Sequence, residues 1–425
     1  MEWVSTRGKS PHVPFIDALF AGTTPDGGLY VPERVEPLPA SVVDSLRDAD
    51  LIETATIVGA HIFRGEITAE TLRPLVREAL DFPIPLVQVT ERVWALELFH
   101  GPTCAFKDIG ARVQARLLHH FTDGTPLTIL VATSGDTGSA VAQAFHGVPD
   151  TRVVVLYPEG KVTDVQEAQM ASLGDNIRAV AIHGTFDDCQ GLVKQAFADN
   201  DLRRHVWLTP ANSINVGRLL PQVFYYFTLL KLAPSIVSVP SGNFGNLTAG
   251  LFARRMGLPI RQFVAATNIN DVVPIYLRTG RYSPRPSIPT VANAMDVGAP
   301  SNLERIQWLY GGDLDAIRKD VTGAAFADAR VIAEIGNVSR KHDYLLDPHA
   351  AIAWLGVEQA LMTADEHTQA VFLATAHPGK FREIVEPAID RDVALPKQLA
   401  DALARPRHAI PMAADYEALR EFLRE

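Results

Sequence analysis

The sequence predicts an α/β fold of mostly parallel sheets covered by helices, preceded by a mainly helical N-terminal region. Three observations carry that reading. Short apolar runs recur between residues 127 and 266, each followed by a small-residue turn and a segment with helical spacing. Strands that alternate with helices pair in parallel, cross over right-handedly and bury both faces of the sheet. The composition is that of an ordinary globular chain, 47% hydrophobic and 21% charged. At 425 residues the chain exceeds one small core and divides into two or three lobes.

Residues 1–88 read as helix and turn, with a turn at Pro25-Asp26-Gly27-Gly28 and a helix over 69–80 on the spacing of Leu72, Val76 and Leu80. Pro83 and Pro85 punctuate the chain and separate this N-terminal region from a second region, 89–425. A helix-like run follows over 109–119. Strand 127–132 then leads to helix 139–145, strand 152–157 to helix 165–173, and strand 177–182 to helix 189–198. Strand 206–209 precedes a helix over 219–230, and strand 236–239 precedes one over 247–256. Strands 260–266 and 371–374 complete the set. Residues 282–300, rich in Pro, Ser, Asn and Gly, read as a long ordered loop, a length that often serves function.

Composition also excludes. A net charge of −10 disfavours a nucleic-acid surface. No apolar run reaches bilayer-spanning length, and the first residues, Met1-Glu2-Trp3-Val4, lack the pattern of a secretory signal. The two cysteines, Cys104 and Cys189, build no disulfide framework, and no zinc-ligand spacing occurs, so no metal is expected. These features lead us to expect a cytoplasmic protein that acts on a small molecule, with monomer or homo-oligomer left undecided.

The segment 98–108 carries the first chemical signal. Lys107 stands behind Ala105 and Phe106, after a turn broken by Gly101 and Pro102. A lysine desolvated by apolar neighbours has a lowered pKa, which suits it to attack a carbonyl and hold a Schiff base. A surface lysine on a helix's first turn is the plain alternative. The second signal, 240–246, places Gly242, Asn243, Phe244, Gly245 and Asn246 between a strand and a helix, where backbone N–H groups suit a phosphate. A Gly-rich turn with a capping Asn is its ordinary reading. It is neither GxGxxG nor a Walker loop.

Ser134, Asp136 and Thr137 lie in a third strand-to-helix turn that suits a carboxylate or second phosphate, or that serves only as a helix cap. Asn212 and Arg218 flank a fourth turn offering amides and a guanidinium fork for an oxyanion, where a plain connection with a surface arginine competes. Thr375, at the end of strand 371–374, offers a hydroxyl to a ring nitrogen. His100 and His377 are supporting candidates, though hydrogen-bonded structural histidines are commoner.

Together with Ser5-Thr6-Arg7-Gly8, Phe186-Asp187-Asp188-Cys189, Ala294-Met295-Asp296 and Pro300-Ser301-Asn302, these segments resemble the threonine synthase family, on the branch with an extended N-terminal region. The resemblance runs over nearly the whole chain. It implies a fold type II pyridoxal 5'-phosphate enzyme, tryptophan synthase β-like, with two α/β lobes and the active site between them. It implies that Lys107 holds the cofactor, residues 242–246 bind its phosphate and Thr375 faces its pyridine nitrogen. Ser134, Asp136 and Thr137 would lie near the substrate, and Asn212 and Arg218 would take the substrate phosphate.

The reaction implied converts O-phospho-L-homoserine and water to L-threonine and phosphate. The alternative on the same site is a phospho-lyase acting on O-phosphohomoserine or phosphothreonine to give 2-oxobutyrate. A dehydratase of unphosphorylated serine or threonine, and a non-catalytic sensor, are more distant rivals. Cys104 departs from the apolar residue more usual there, which suggests sensitivity to oxidation and no change of chemistry.

Overall fold

The computed structural model describes residues 2–133 and 135–425. The N-terminal region is helical with one small sheet. Strand β1 (Trp3–Ser5) pairs antiparallel with β2 (Tyr30–Pro32), and helix α1 (Phe15–Ala21) lies between them in sequence. Helices α2 (Ala40–Ser45), α3 (Leu51–Ile62) and α4 (Ala69–Ala79) follow. Helix α4 starts where the Thr68 side chain caps Thr71 N–H, and it buries Leu72, Val76 and Ala79, the stripe its spacing predicts. Trp3, Phe15 and Phe63 pack ring on ring within the same core as the helices of the next lobe.

The polypeptide then builds two sheets. Strands β3 (Leu86–Gln88) and β4 (Val93–Glu97) form an antiparallel hairpin that straddles the expected boundary at residue 88. Helix α5 (Lys107–Thr122) leads into β5 (Leu127–Ala132), α6 (Asp136–Phe145), β6 (Thr151–Pro158) and α7 (Asp164–Ala171). After these come β7 (Ile177–His183), α8 (Phe186–Ala198), α9 (Leu202–His205) and β8 (Leu208–Pro210). The strands are near-continuous apolar runs because helices cover both faces.

The expected helix over 219–230 is three shorter pieces: α10 (Val216–Leu219), α11 (Gln222–Phe227) and a 3-10 turn at Thr228–Lys231. Pro221 interrupts it, since a proline removes a backbone donor and starts a fresh helix readily.

Next come β9 (Ile236–Pro240), α12 (Gly245–Arg255), β10 (Gln262–Thr267) and α13 (Val272–Thr279). The segment 280–302 is a long connection holding one 3-10 turn, Asn293–Met295. It reaches α14 (Leu303–Leu309), α15 (Leu314–Asp320), β11 (Val321–Ala325), α16 (Asp328–His342), α17 (Pro348–Leu361) and β12 (Ala370–Ala374). The chain closes with α18 (Arg382–Ile389), α19 (Lys397–Ala404), β13 (Ala409–Ala413) and α20 (Tyr416–Arg424).

The five-stranded sheet has the order β13-β7-β6-β5-β8 and is parallel throughout; the six-stranded sheet, β11-β10-β9-β12-β4-β3, is parallel except for β3. The carboxyl ends of β5, β8, β9 and β12 open onto one cavity, as doubly wound sheets dictate. Among the described residues, no helix is long and apolar enough to cross a membrane.

Candidate active site

The lysine segment is sewn to the strand end opposite it. Phe106 N–H donates to Thr375 O at 2.8 Å, and His377 N–H donates to Cys104 O at 3.0 Å. These bonds bring Lys107, the first residue of α5, and Thr375, just past β12, onto one cavity of about 480 Å³. Lys107 Nζ lies 4.8 Å from the Phe106 ring centroid. Its pKa is lowered. Burial is the largest cause, Lys380 and Arg218 add to it, and Asp136 and Asp347 oppose it. The side chain stays partly open to the cavity while protein surrounds it on its other sides.

Across the cavity, β9 ends in the loop that starts α12. Phe244, the residue before the helix, has φ 62° and ψ 14°, a left-handed conformation that bends the loop back on itself. Among the described residues, the backbone N–H groups of Gly242, Asn243, Phe244, Gly245 and Asn246 find no acceptor in the protein. Five unpartnered donors at a helix start form an anion cradle. A Cβ on Gly242 would lie 2.8 Å from Ala294 O and 2.8 Å from Met295 Cα, so only glycine fits. The two asparagine side chains hold the loop in shape. Asn243 donates to Ser213 Oγ and accepts from Ser301 N–H, each at 2.6 Å, and Asn246 donates to Pro240 O at 2.8 Å.

A second cationic group faces the same space. Arg218 is buried in α10, donates from Nη1 to Ala211 O and leaves Nε without a partner. Burial lowers its pKa to about 10, so it remains a cation at neutral pH. Asn212 Oδ1 and Gln222 Oε1 are likewise buried and unpartnered beside it. Such orphaned polar atoms are costly unless a ligand completes them. The turn carrying Asn212 is held from behind by Arg305, which donates to Ile214 O at 2.6 Å and to Tyr30 O at 3.1 Å.

The turn after β5 is built differently from its sequence reading. Asp136 is not the residue before α6. Gly135 takes that place with φ 144°, and Thr133 Oγ1 accepts from Gly135 N–H at 2.9 Å and Gly138 N–H at 2.8 Å. Ser134 lies outside the described residues. Asp136 and Thr137 line the cavity, and Asp136 Oδ1 also meets Lys380 Nζ at 2.9 Å and Gln166 Nε2 at 3.0 Å. Lys380 further donates to Thr103 O and Gln169 Oε1, both at 2.9 Å. Although burial opposes ionisation, Lys380 and Lys107 hold the Asp136 carboxyl well below the usual range.

His100 and His377 are structural, in line with their plainer reading. His100 Nε2 meets Glu97 at 2.6 Å. His377 Nδ1 accepts from Gly379 N–H at 3.0 Å, and burial pulls its pKa down to about 4. The expected oxidation sensitivity of Cys104 needs correcting: it is buried, and burial pushes its thiol up to about 12. Sequence reasoning missed Gln222, Asn293 and His349 on the cavity wall. Asp347-Pro348-His349 looks only like a capped helix start, and nothing in the sequence separates a cap from a site.

Residues 80–376 match the family model of pyridoxal-phosphate dependent enzymes, and residues 2–80 and 351–423 match those of the threonine synthase N terminus and C-terminal part. Threonine synthase from Escherichia coli (strain K12) is 40% identical, covering 100% of this chain and 99% of its own. The chain belongs to the threonine synthase family. Threonine synthase from Haemophilus influenzae is 43% identical with the same coverage. The crystal structure of the Escherichia coli threonine synthase superposes with a TM-score of 0.93 over 100% of this chain and 99% of that one. A threonine synthase from Brucella melitensis, solved with pyridoxal phosphate bound, superposes at 0.94 with 39% identity, covering 100% of this chain and 99% of that one.

Pyridoxal phosphate is the cofactor of the family, and the residues here suit it. The cradle of five N–H groups matches a phosphate, and Lys107, deprotonated more readily than an exposed lysine, matches an aldehyde. Thr375 places a neutral hydroxyl, and no carboxylate, at the end of β12.

Proposed function

We propose that this member of the threonine synthase family converts O-phospho-L-homoserine and water to L-threonine and phosphate. The observation that carries the reading is the pairing of two anion sites in one cavity with one desolvated lysine. The N–H cradle of 242–246 takes the cofactor phosphate, and the unpartnered Arg218 Nε takes the substrate phosphate. A site for an unphosphorylated amino acid would have no use for the second.

When bound, the cofactor supplies an electron-accepting conjugated ring that stabilises negative charge at the substrate α-carbon. The remaining steps belong to the protein. Lys107 would hold the cofactor and, as a neutral amine, would remove the α-proton. Arg218 meets the phosphate as it leaves the γ-carbon, with Asn212 and Gln222 beside it. Thr375, a neutral hydroxyl, would face the cofactor's ring nitrogen and offer it no counter-charge. Asp136 and Thr137 border the substrate side of the cavity, where Lys380 keeps the Asp136 carboxylate ionised.

The test is product analysis. Purified protein given O-phospho-L-homoserine is expected to release threonine and phosphate in equal amounts, and 2-oxobutyrate as the main product would overturn the reading. Lys107→Ala is expected to lose both the visible absorbance of bound cofactor and threonine formation.

A further inference from the structure

The cavity wall holds a second proton-handling pair, formed by Asp347 and His349. Asp347 caps α17, accepting from Ala350 N–H at 2.9 Å and His349 N–H at 3.0 Å, and its Oδ2 lies 2.6 Å from His349 Nδ1. The Asp347 side chain is fully buried and His349 is 3% exposed, its ring packed 5.0 Å from that of Phe381. Yet His349 lines the cavity, and its Nε2 is buried without a partner. A carboxylate only accepts hydrogen bonds, so Asp347 fixes the ring proton on Nδ1 and leaves the lone pair on Nε2. This carboxylate–imidazole arrangement orients a base in other active sites.

Resting on the reaction proposed above, we infer that His349 is the base that activates the water entering the cavity, with Asp347 as its positioning residue. One O–H bond of water breaks. The hydroxyl joins the substrate β-carbon, and the proton passes through Nε2 to the released phosphate, which leaves as hydrogen phosphate. Lys107 takes the α-proton and returns it at the end, and the proton lost from the β-carbon as phosphate departs is made good by one gained at the γ-carbon, so the two bases divide the work. The charged and titratable groups around the Asp347–His349 pair are Asp296 from the 280–302 segment, Lys107 from α5, Tyr344 between α16 and α17, and His377 after β12. Asp296 is coupled electrostatically to His349, and the others are coupled to Asp347.

Histidine nitrogen NMR on isotope-labelled protein, with His349→Gln identifying the signal, is expected to show an unprotonated Nε2 in the unaltered protein. Asp347→Asn keeps a good cap and offers Nδ1 a donor, so it is expected to move the proton to Nε2. Both variants are expected to bind cofactor with normal visible absorbance and melting temperature. Their kcat is expected to fall about 10²-fold, with the acid limb of the pH profile lost in His349→Gln. A ring protonated on Nε2 in the unaltered protein would overturn the inference. So would an active enzyme whose His349→Gln variant keeps its rate and pH profile. An unaltered protein that makes no threonine would instead overturn the reaction itself.

Discussion

At the scale of single residues, the cavity separates two lysines by what each one faces. Lys107 has an apolar ring beside it and two cations near it, whereas Lys380 is enclosed by one carboxylate, one carbonyl and one amide oxygen. Removing one member of a fully buried pair strands the other's charge, at a cost of about 3–5 kcal/mol. Lys380→Met should therefore destabilise the protein by roughly that amount, read as a lower urea midpoint at unchanged slope. The folded-state pKa of Asp136 lies below its unfolded value, so its stabilisation is fully present above about pH 4. It is lost as pH falls further towards the folded value. The gap in midpoint between the parent and Asp136→Asn should accordingly shrink as pH falls below about 4. A gap that stays constant with pH would refute the ionised pair.

At the scale of elements, the start of α12 sets two effects against each other. A left-handed non-glycine residue costs about 1–2 kcal/mol, which glycine would relieve, but Phe244 is also a buried ring whose deletion costs about 3–5 kcal/mol. Packing wins, so Phe244→Gly should lower stability by about 1–4 kcal/mol and loosen cofactor binding, measured by denaturation and by titration of visible absorbance. The same scale shows what was legible in the sequence. Strands β5, β6, β7, β9 and β10 were readable because both faces are largely buried and their runs are mostly apolar. Strand β13 hid because it is an edge with alternating exposed residues, and β11 because Val321-Thr322-Gly323-Ala324-Ala325 carries little apolar bulk. The break at Pro221 hid inside an unbroken apolar stretch. Loops that cradle an anion stood out, since their glycines have few other uses. Gln222 and His349 did not, because a side chain's partner comes from distant chain.

At the scale of the whole molecule, the last residues complete the first sheet. Strand β13 covers the edge of β7, α20 packs Leu419 and Leu423 into the core of that lobe, and Arg420 pairs with Asp199 and Asp201. Deleting residues 409–425 would bare a long strand edge and an apolar face, so we expect loss of soluble protein on expression, with any soluble remainder aggregating on mild heating. Full activity in such a truncation would contradict the assignment of these residues to the sheet's structure. The two anion sites proposed above belong to different sheets: the 242–246 loop follows β9 of the six-stranded one, and Arg218 follows β8 of the five-stranded one. With those assignments the cavity would work as a caliper whose jaws are the sheets themselves. On the roles proposed above, cofactor alone would be held at one jaw and a substrate ending in phosphate would need both, so a chain one carbon too short or too long would fail by its reach.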